Sequence, residues 1–242
     1  MKSSRGKWLI VLGVLLVVID QVIKFLVKTN MALGDHFNVL GEWFQIYFIE
    51  NEGMAFGMKF GGMAGKLALS LFRIVLCTVL VWWISKLVRR GTPRAKGEEA
   101  TKEKVPQGVL VGLTLITAGA FGNIIDCLFY GLIFSESLPG VVATLGGSYA
   151  PFLFGKVVDM LYFPLFTWPD WVPLLGGDIF FSPIFNFADS CVTVGAFYLI
   201  LFQYKFFMTE DKNEEGKIED AKSKKIDGKG KKKGASASPL RK

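Results

Sequence analysis

Four long apolar blocks constrain this sequence more than any other feature. They run roughly over 8–27, 67–87, 108–125 and 186–207. A helix needs about 20 apolar residues to cross a hydrocarbon core about 30 Å thick, and each block approaches that length. Soluble domains rarely contain such runs. We therefore predict a membrane protein of the all-α class, with four transmembrane helices in a single domain over 1–208.

The first block is expected to stay in the mature protein. It follows three basic residues, as a secretory signal does, but it is long and contains Asp20. It is also not followed by a small-residue cleavage site of the kind that signal peptidases recognise. We therefore interpret it as the first transmembrane helix.

The distribution of basic residues predicts the orientation. Segments 1–7, 89–107 and the tail from 205 are rich in Lys and Arg, whereas the long connections 28–66 and 127–185 contain more acids than bases. Lys and Arg are retained on the cytoplasmic side of a membrane. Both termini are therefore expected in the cytoplasm, and both long connections on the outer side.

The two outer connections are expected to differ in structure. Residues 36–60 combine short aromatic and β-branched runs with glycines, which is typical of strands and turns. The segment 127–185 is rich in Gly, Pro and aromatic residues, and its PFLFGKVVDMLYFPLF and WPDWVPLL pieces suit a membrane interface. We predict a small β element in the first connection and an interfacial helix or lid in the second.

The basic tail 209–242 is expected to be disordered, because its final part, KSKKIDGKGKKKGASASPLRK (222–242), is dominated by Lys, Gly and Ser and lacks aromatic residues. A tether that touches anionic lipid is a simpler interpretation of this charge than binding of nucleic acid. We therefore predict no nucleic-acid partner.

The composition disfavours a metal site and a disulfide framework. His36 is the one histidine, and the three cysteines, Cys77, Cys127 and Cys191, form no CxxC pair. A zinc site or a disulfide framework would need more such residues at closer spacing. The sequence also has no Gly-rich phosphate loop. We therefore predict no metal site.

Ionisable residues occur where the apolar blocks should be free of them. Asp20 and Lys24 lie inside the first block, Asp126 ends the third, and Asp189 lies about one turn inside the fourth. With the orientation above, all of them are expected at the outer ends of their helices. A charge inside a span costs about 2.5–3.5 kcal/mol on insertion scales, so such residues usually face the bundle interior and mark a function. Asp20 and Lys24 are also spaced i, i+4, as in a purely structural ion pair.

Two asparagines share helix faces with these acids. Asn123 and Asp126 are spaced i, i+3, and so are Asn186 and Asp189. Asn186 also suits the N-cap of the fourth helix. Each asparagine is therefore expected on the same helix face as its acid.

Paired carboxylates favour acid–base chemistry, because two close Asp side chains share one proton and can act as base and acid. Aspartic proteolysis at the membrane surface is the natural candidate, and residues alone favour Asp126 with Asp189. A Ser190–Lys24 pair is an alternative nucleophilic arrangement. A proton-coupled transporter and a catalytically silent lipoprotein-binding chaperone are alternatives from other functional classes.

Five motifs resemble, in order, those of the signal peptidase II (lipoprotein signal peptidase) family: DQVIK (20–24), NEGMAFG (51–57), GAFGNIID (119–126), VVDM (157–160) and FNFADS (185–190). The resemblance implies a four-helix membrane bundle with a periplasmic β-cradle and an amphipathic periplasmic helix. It also implies a bacterial inner-membrane aspartic endopeptidase that cleaves prolipoproteins before a diacylglyceryl-modified cysteine. Such an enzyme would need no cofactor, contact membrane lipids and act as a monomer.

The resemblance assigns catalysis to Asp159 of VVDM and Asp189 of FNFADS, so it places Asp126 outside the catalytic pair. It also implies a set of residues that shape the site or bind substrate: Asp20, Lys24, Asn51, Gly53, Asn123, Asp126, Asn186 and Ala188. Where the family commonly has Arg after the acid of GNIID, this chain has Cys127. We expect the contact of that Arg to be lost or to be supplied by Lys156. The spacings around Asp159 are longer than in compact members, which indicates an enlarged outer loop.

Overall fold

A computed structural model describes residues 4–51, 62–90 and 105–208. The predicted disordered tail, 209–242, lies outside the described residues, and so does Gly53. All structural statements below concern the described ranges.

The described chain contains three helices that are long and apolar enough to cross a membrane: Arg5–Asn30, Gly62–Val88 and Gln107–Ile133. The first belongs to helix α1 (Ser4–Asn30), and the second is helix α2 (Gly62–Val88). The third begins as α3 (Gln107–Ile125), passes through a π-helical turn (Asp126–Tyr130) and ends in the short α4 (Gly131–Ile133). The first three predicted spans are therefore confirmed as apolar helices of sufficient length.

The fourth predicted block forms a shorter helix, α5 (Phe187–Phe202). Its helical hydrogen bonding is interrupted at Gln203, and residues 204–208 are again helical. The block therefore contains the expected apolar helix, which is too short by itself to count among the spanning helices.

Helix α3 occupies the centre of the helical region. In its apolar window 56% of the residues are buried, compared with 17% in α1 and 11% in α2. Close packing against α5 depends on Gly119, where a Cβ would lie only 2.2 Å from the backbone oxygen of Ala188. Small residues allow such approach between membrane helices, where packing rather than water exclusion drives association.

Six strands form two antiparallel sheets: β1 (His36–Leu40), β2 (Phe44–Asn51), β3 (Val157–Tyr162), β4 (Phe166–Thr167), β5 (Ile179–Phe180) and β6 (Ile184–Phe185). The larger sheet has the order β1-β2-β3-β6, and β4 pairs with β5 in a separate hairpin. Strands β1 and β2 confirm the predicted β element of the first connection. The inner face of the sheet packs on the end of the helical region through a buried apolar cluster: Val27, Met31, Phe48, Tyr130, Phe134, Val158 and Met160.

The predicted interfacial helix in 127–185 was wrong. Helical structure in this segment ends at Ile133, as a continuation of α3, and residues 134–186 contain no helix. The segment 157–162 is instead the central strand β3, which suits its β-branched Val157 and Val158. Prolines at 164, 169 and 173 then exclude a regular helix, because each one removes a backbone donor.

Candidate active site

A buried ion cluster joins α1 to the end of α3. The Lys24 ammonium lies 3.0 Å from Oδ2 of Asp20 and 2.7 Å from Oδ2 of Asp126, and it donates to Oδ1 of Asn123 over 2.7 Å. Asp20, Lys24 and Asp126 are all at most 1% exposed. Charges are tolerated at this depth only when they are paired and hydrogen-bonded. The predicted Asp20–Lys24 pair is therefore present, and Asp126 belongs to it as well.

Gln21 completes this cluster. Its side-chain nitrogen lies 3.1 Å from Oδ2 of Asp20, 2.9 Å from Oδ1 of Asp126 and 3.1 Å from the Gly122 carbonyl. Its side-chain oxygen accepts the hydroxyl of Tyr130 over 3.2 Å. Sequence reasoning did not single out Gln21, although a polar residue beside Asp20 in an apolar block was an available signal.

Each acid of the cluster also binds the backbone of a distant segment. Oδ1 of Asp20 accepts the N–H of Ala188 over 2.9 Å, and Oδ2 of Asp126 accepts the N–H of Val158 over 3.3 Å. Ala188 directly precedes Asp189, and Val158 directly precedes Asp159. The ion cluster therefore positions the two segments that carry the predicted catalytic acids.

Asp159 lies on β3, on the sheet face that points to the start of α5. It is 2% exposed. Its Oδ2 accepts a hydrogen bond from the Asn51 side chain over 3.2 Å, and its Oδ1 accepts one from Asn186 over 2.6 Å. Asn51 lies opposite Val157 in the β2–β3 pair, and alternate residues of a strand share a face. The sheet register therefore brings Asn51 and Asp159 together.

Asp189 lies in the first turn of α5. The side chain of Asn186 accepts the Asp189 backbone N–H, and Oδ2 of Asp189 accepts the Asn186 backbone N–H, so the two form a reciprocal capping box. The predicted N-cap at Asn186 is confirmed. Oδ1 of Asp189 accepts a second hydrogen bond, from the Asn123 side chain, over 2.7 Å.

Two asparagine amides connect the acids. The Asn186 nitrogen that donates to Asp159 also lies 3.1 Å from Oδ1 of Asn123, and Asn123 in turn donates to Asp189. A continuous path of hydrogen bonds therefore leads from Asp159 through Asn186 and Asn123 to Asp189. The structure thus brings together the predicted residues of three helices and the sheet.

The electrostatics of Asp159 follow from this position. Burial and, next, the charge of Asp189 raise the pKa of Asp159 to about 7, while the hydrogen bonds from Asn51 and Asn186 act in the opposite direction. Asp159 can therefore hold a proton near neutral pH. A pair of nearby acids in which one keeps its proton is suited to general acid–base catalysis.

The alternative pairs find no contact among the described residues. Asp126 accepts from Lys24, Gln21 and Val158, and no hydrogen bond there joins it to Asp189. The Ser190 hydroxyl donates to the Asn186 carbonyl over 3.1 Å, whereas the Lys24 ammonium pairs with Asp20 and Asp126. Neither Asp126–Asp189 nor Ser190–Lys24 is a contacting pair.

The positive charge beside Cys127 comes from Arg73. Nη1 of Arg73, on α2, donates to Sγ of Cys127 over 3.5 Å. Lys156 was one predicted source of this contact, but its ammonium lies 3.5 Å from Glu50 and 3.6 Å from Glu136 instead. Lys156 directly precedes β3 and therefore belongs to a second polar cluster.

That second cluster was not predicted. Lys28 is buried and pairs with Oε1 of Glu50, and it donates to the Ser137 hydroxyl over 2.8 Å. Ser137 also donates to Glu50, over 2.9 Å. Glu50 directly precedes Asn51 on β2, so the cluster ties the strand that carries Asn51 to the end of α1.

Metal-binding geometry is not found in the described ranges, which contain no group of three or more His, Cys, Asp or Glu residues that could hold an ion. The described cysteines, Cys77, Cys127 and Cys191, are free and buried.

Comparison with known proteins agrees with the motifs. The family model described as signal peptidase (SPase) II matches residues 12–205. A lipoprotein signal peptidase of Porphyromonas gingivalis is 47% identical over 207 residues, which cover 83% of this chain and 84% of that protein. A lipoprotein signal peptidase of Amoebophilus asiaticus is 35% identical over 195 residues, which cover 78% of this chain and 75% of that protein.

The fold also has a counterpart among solved structures. A bacterial membrane enzyme determined by the in meso method at 2.3 Å resolution superposes with a TM-score of 0.51. It is 25% identical, and the match covers 82% of this chain and 88% of that one. The family match and these identities over most of the chain confirm the resemblance seen in the motifs: the chain belongs to the signal peptidase II family.

Proposed function

We propose that this protein is an aspartic endopeptidase that removes the signal peptide of prolipoproteins by cleaving before the diacylglyceryl-modified cysteine, with Asp159 and Asp189 as its catalytic pair. Membership of the signal peptidase II family supports the reaction and the substrate class. The single observation that carries the residue assignment is the path of hydrogen bonds that links the two acids through Asn186 and Asn123.

The two acids have different environments, and this difference assigns their roles. Asp159 is buried, and its pKa is raised to about 7, so it supplies the proton. Asp189 lies in the first turn of α5, where the helix dipole favours a negative charge, so it acts as the base. Two carboxylates in unlike surroundings can thereby divide the work of acid and base.

The proposed reaction is a general acid–base hydrolysis. Asp189 takes a proton from water, the resulting hydroxide adds to the scissile carbonyl carbon, and Asp159 donates its proton to the carbonyl oxygen. When the tetrahedral intermediate collapses, Asp159 recovers its proton, and Asp189 passes the proton that it took to the leaving nitrogen. Both carboxyl groups then return to their starting states.

The remaining predicted residues position this pair. Asp20 and Asp126 hold the backbone next to Asp189 and Asp159, and Lys24 holds Asp20 and Asp126 together. Asn51, Asn123 and Asn186 orient the carboxylates. Ala188 contributes its N–H, while Gly53 keeps the substrate-binding or site-shaping role that the motif implies. This rigid support suits a site that must align a lipid-anchored peptide bond.

The family and the three apolar helices make this a bacterial membrane protein. We further propose a fourth span from α5 and the helical residues to 208, since residues 187–208 would extend about 33 Å at 1.5 Å per residue. In this arrangement the protein is a monomer in the inner membrane, with both termini cytoplasmic. The site then faces the periplasm at the membrane surface, where the lipid chains of the substrate can lie between helices.

Incubation of the purified protein with a diacylglyceryl-modified precursor peptide and its unlipidated counterpart tests the proposal. A shorter product from the lipidated peptide alone supports peptidase activity. Binding without cleavage would indicate the chaperone, and proton flux in sealed vesicles without cleavage would indicate the transporter. The arrangement disfavours the transporter, because the acids gather at one end of the helices instead of following a path across the membrane.

Asp189→Asn tests the residue assignment. The variant should insert normally and lose cleavage, because the amide cannot accept the proton from water. Glu42→Gln, the same chemical change at an exposed turn residue, should retain cleavage. Turnover by purified Asp189→Asn at the wild-type rate would refute the assignment while leaving the family membership intact.

A further inference from the structure

A β-hairpin over 163–183 separates β3 from β6 and takes no part in the site described above. Its strands β4 and β5 pair Phe166 with Phe180 and Thr167 with Ile179. The tip, 168–178, presents large apolar side chains to the outside: Trp171 is 82% exposed and Leu174 is 99% exposed. Such exposure is unfavourable in water and indicates an interaction surface.

The exposure of the tip comes from an ordered backbone. The Trp168 N–H donates to the Asp178 carbonyl over 2.9 Å, the Gly177 N–H donates to the Trp168 carbonyl over 3.0 Å, and the Gly176 N–H donates to the Val172 carbonyl over 2.9 Å. Leu174 has a positive φ of 68°, a left-handed conformation that is strained for a residue with a side chain. These hydrogen bonds satisfy backbone groups within the tip and so reduce the cost of moving the tip out of water.

Stacked aromatic rings form the base of the hairpin. The Phe166 and Phe180 rings stack with centroids 4.7 Å apart. Trp168 contacts both edge-on, at 5.1 Å from Phe166 and 5.8 Å from Phe180. These contacts make the hairpin a rigid support for its tip.

The aromatic surface continues to the start of α5. Phe181 contacts Phe185 at a centroid distance of 6.0 Å, Phe185 contacts Phe163 at 5.7 Å, and Phe163 stacks on Phe44 at 4.6 Å. Phe185 directly precedes the N-cap Asn186 of α5. Apolar side chains on the outer face of α5 are themselves exposed: Val194, Phe197, Ile200 and Leu201. The hairpin is thereby continuous with a helix face that suits lipid.

Charge argues for a neutral partner. The sequence has no Lys or Arg between 157 and 204, and the tip carries Asp170 and Asp178. Anionic headgroups would be repelled by these acids, whereas Trp side chains settle at a membrane interface through their apolar, polar-tipped rings.

We propose that the hairpin 163–183 inserts its tip into the membrane interface beside the catalytic pair, with Trp171, Leu174 and Leu175 at the boundary between headgroups and acyl chains of zwitterionic lipid. The outer connection is then anchored to the bilayer at a second place besides the helices. The anchor holds β3 and β6, and thus Asp159, at a constant height above the hydrocarbon. This interaction does not depend on the proposed peptidase activity.

A depth measurement tests the proposal directly. A polarity-sensitive fluorophore is attached to Leu174→Cys, and the protein is reconstituted in phosphatidylcholine vesicles. Phe197→Cys on α5 is the lipid-exposed reference, and Asn38→Cys on β1 is the reference outside the hairpin. The exposed side chains of Leu174, Phe197 and Asn38 allow substitution without loss of packing. The three native cysteines are buried, so the wild-type chain labelled in parallel provides the background.

We expect nitroxide-labelled phosphatidylcholine to quench the probe at 174 about threefold more than the probe at 38, since interfacial side chains lie about 5–10 Å into the headgroup and acyl boundary. Iodide in the aqueous phase should show the opposite order. Addition of phosphatidylglycerol should weaken lipid quenching at 174, because Asp170 and Asp178 repel it. Equal lipid quenching at 174 and 38 would overturn the proposal. Lipid quenching at 174 that occurs only when a precursor peptide is added would also overturn it, because the tip would then contact substrate and not lipid.

Discussion

The side-chain nitrogen of Asn186 lies 2.6 Å from Oδ1 of Asp159. The side-chain oxygen of the same residue accepts the backbone N–H of Asp189 over 2.9 Å. One asparagine therefore fixes the start of α5 and orients the buried acid of β3. The helix cap and the candidate site cannot be separated in this protein, because they share a side chain.

Serine at position 186 should separate these two roles. Asn186→Ser keeps an oxygen that can cap α5, since Ser and Asn are comparable N-caps, whereas Asn186→Ala loses the cap at a cost of about 1 kcal/mol. Neither replacement keeps the amide N–H that donates to Asp159. We expect kcat/KM to fall about 100-fold in both variants because the reacting groups are misplaced. The alanine variant should melt at a lower temperature than the serine variant, because it also loses the cap. Wild-type activity in Asn186→Ser would contradict the role of the amide.

Activity should decrease as the pH rises through about 7. Asp159 must be protonated to act as the acid, and its pKa is raised to about 7. Its hydrogen bond from Asn51 favours the ionised form, so Asn51→Ala should raise this pKa further and move the decrease to higher pH. The pH profile of kcat/KM measures the midpoint. Gln45→Ala, on the same strand, should leave the midpoint unchanged, and an unshifted midpoint in Asn51→Ala would show that this amide does not tune the acid.

Ionisation of Asp159 should reduce stability. Its pKa rises from 3.8 to about 7 on folding, so the native state resists ionisation that the unfolded chain undergoes freely. The destabilisation is absent below about pH 4, grows between about pH 4 and pH 7, and is constant above. The melting temperature of the wild type should therefore fall relative to that of Asp159→Asn between pH 4 and pH 8. Parallel melting curves across this range, with Glu42→Gln as the control for general pH effects, would contradict the shift.

Removal of Lys24 should destabilise the protein strongly. Lys24→Met leaves the buried carboxylates of Asp20 and Asp126 without their cation, which typically costs about 3–5 kcal/mol. The triple variant Lys24→Met/Asp20→Asn/Asp126→Asn should recover much of that loss, because no uncompensated charge remains. Denaturation in detergent micelles measures both. Lys86→Met, which removes an exposed base of α2, should be nearly neutral, and an equal loss there would show that the effect is not specific to the buried cluster.

Two glycines offer a matched test of packing at the ion cluster. A Cβ at Gly122 would lie 2.5 Å from Oδ2 of Asp20, whereas a Cβ at Gly13 would lie 3.6 Å from Thr114, an ordinary contact. Gly13→Ala should be neutral or slightly stabilising, since Ala favours a helix over Gly by about 1 kcal/mol. Gly122→Ala should lower both the melting temperature and the activity, because Asp20 must move from the Ala188 N–H. Equal melting temperatures would show that the cluster can relax around the added methyl group.

Local patterns in the sequence predicted the helices and the first two strands. The apolar blocks located α1, α2 and α3, and the preference of Asn for N-cap positions identified Asn186 as the N-cap of α5. The order of the motifs indicated the family, which the comparisons confirmed. These features are readable because each depends on residues close together in the chain.

Other features could not be read in this way. From its position alone, Asp126 was the better catalytic candidate, since it ends a span while Asp159 falls in a connection. In the structure, Asp126 instead accepts a hydrogen bond from the backbone N–H of Val158, which lies 32 positions away in the sequence. The Lys28–Glu50 pair was missed for the same reason, because its two residues belong to different elements.

The sequence by itself determined where the chain is apolar enough for membrane helices and that the first outer connection contains strands. It also determined which motifs the chain shares with signal peptidase II. Those properties follow from hydropathy, from backbone propensity and from residue order. Tertiary structure alone decided which acid lies beside which amide. The physical reason is that hydrogen bonds and ion pairs between distant segments depend on register and on helix packing, and these are set only when the whole chain buries its polar groups at once.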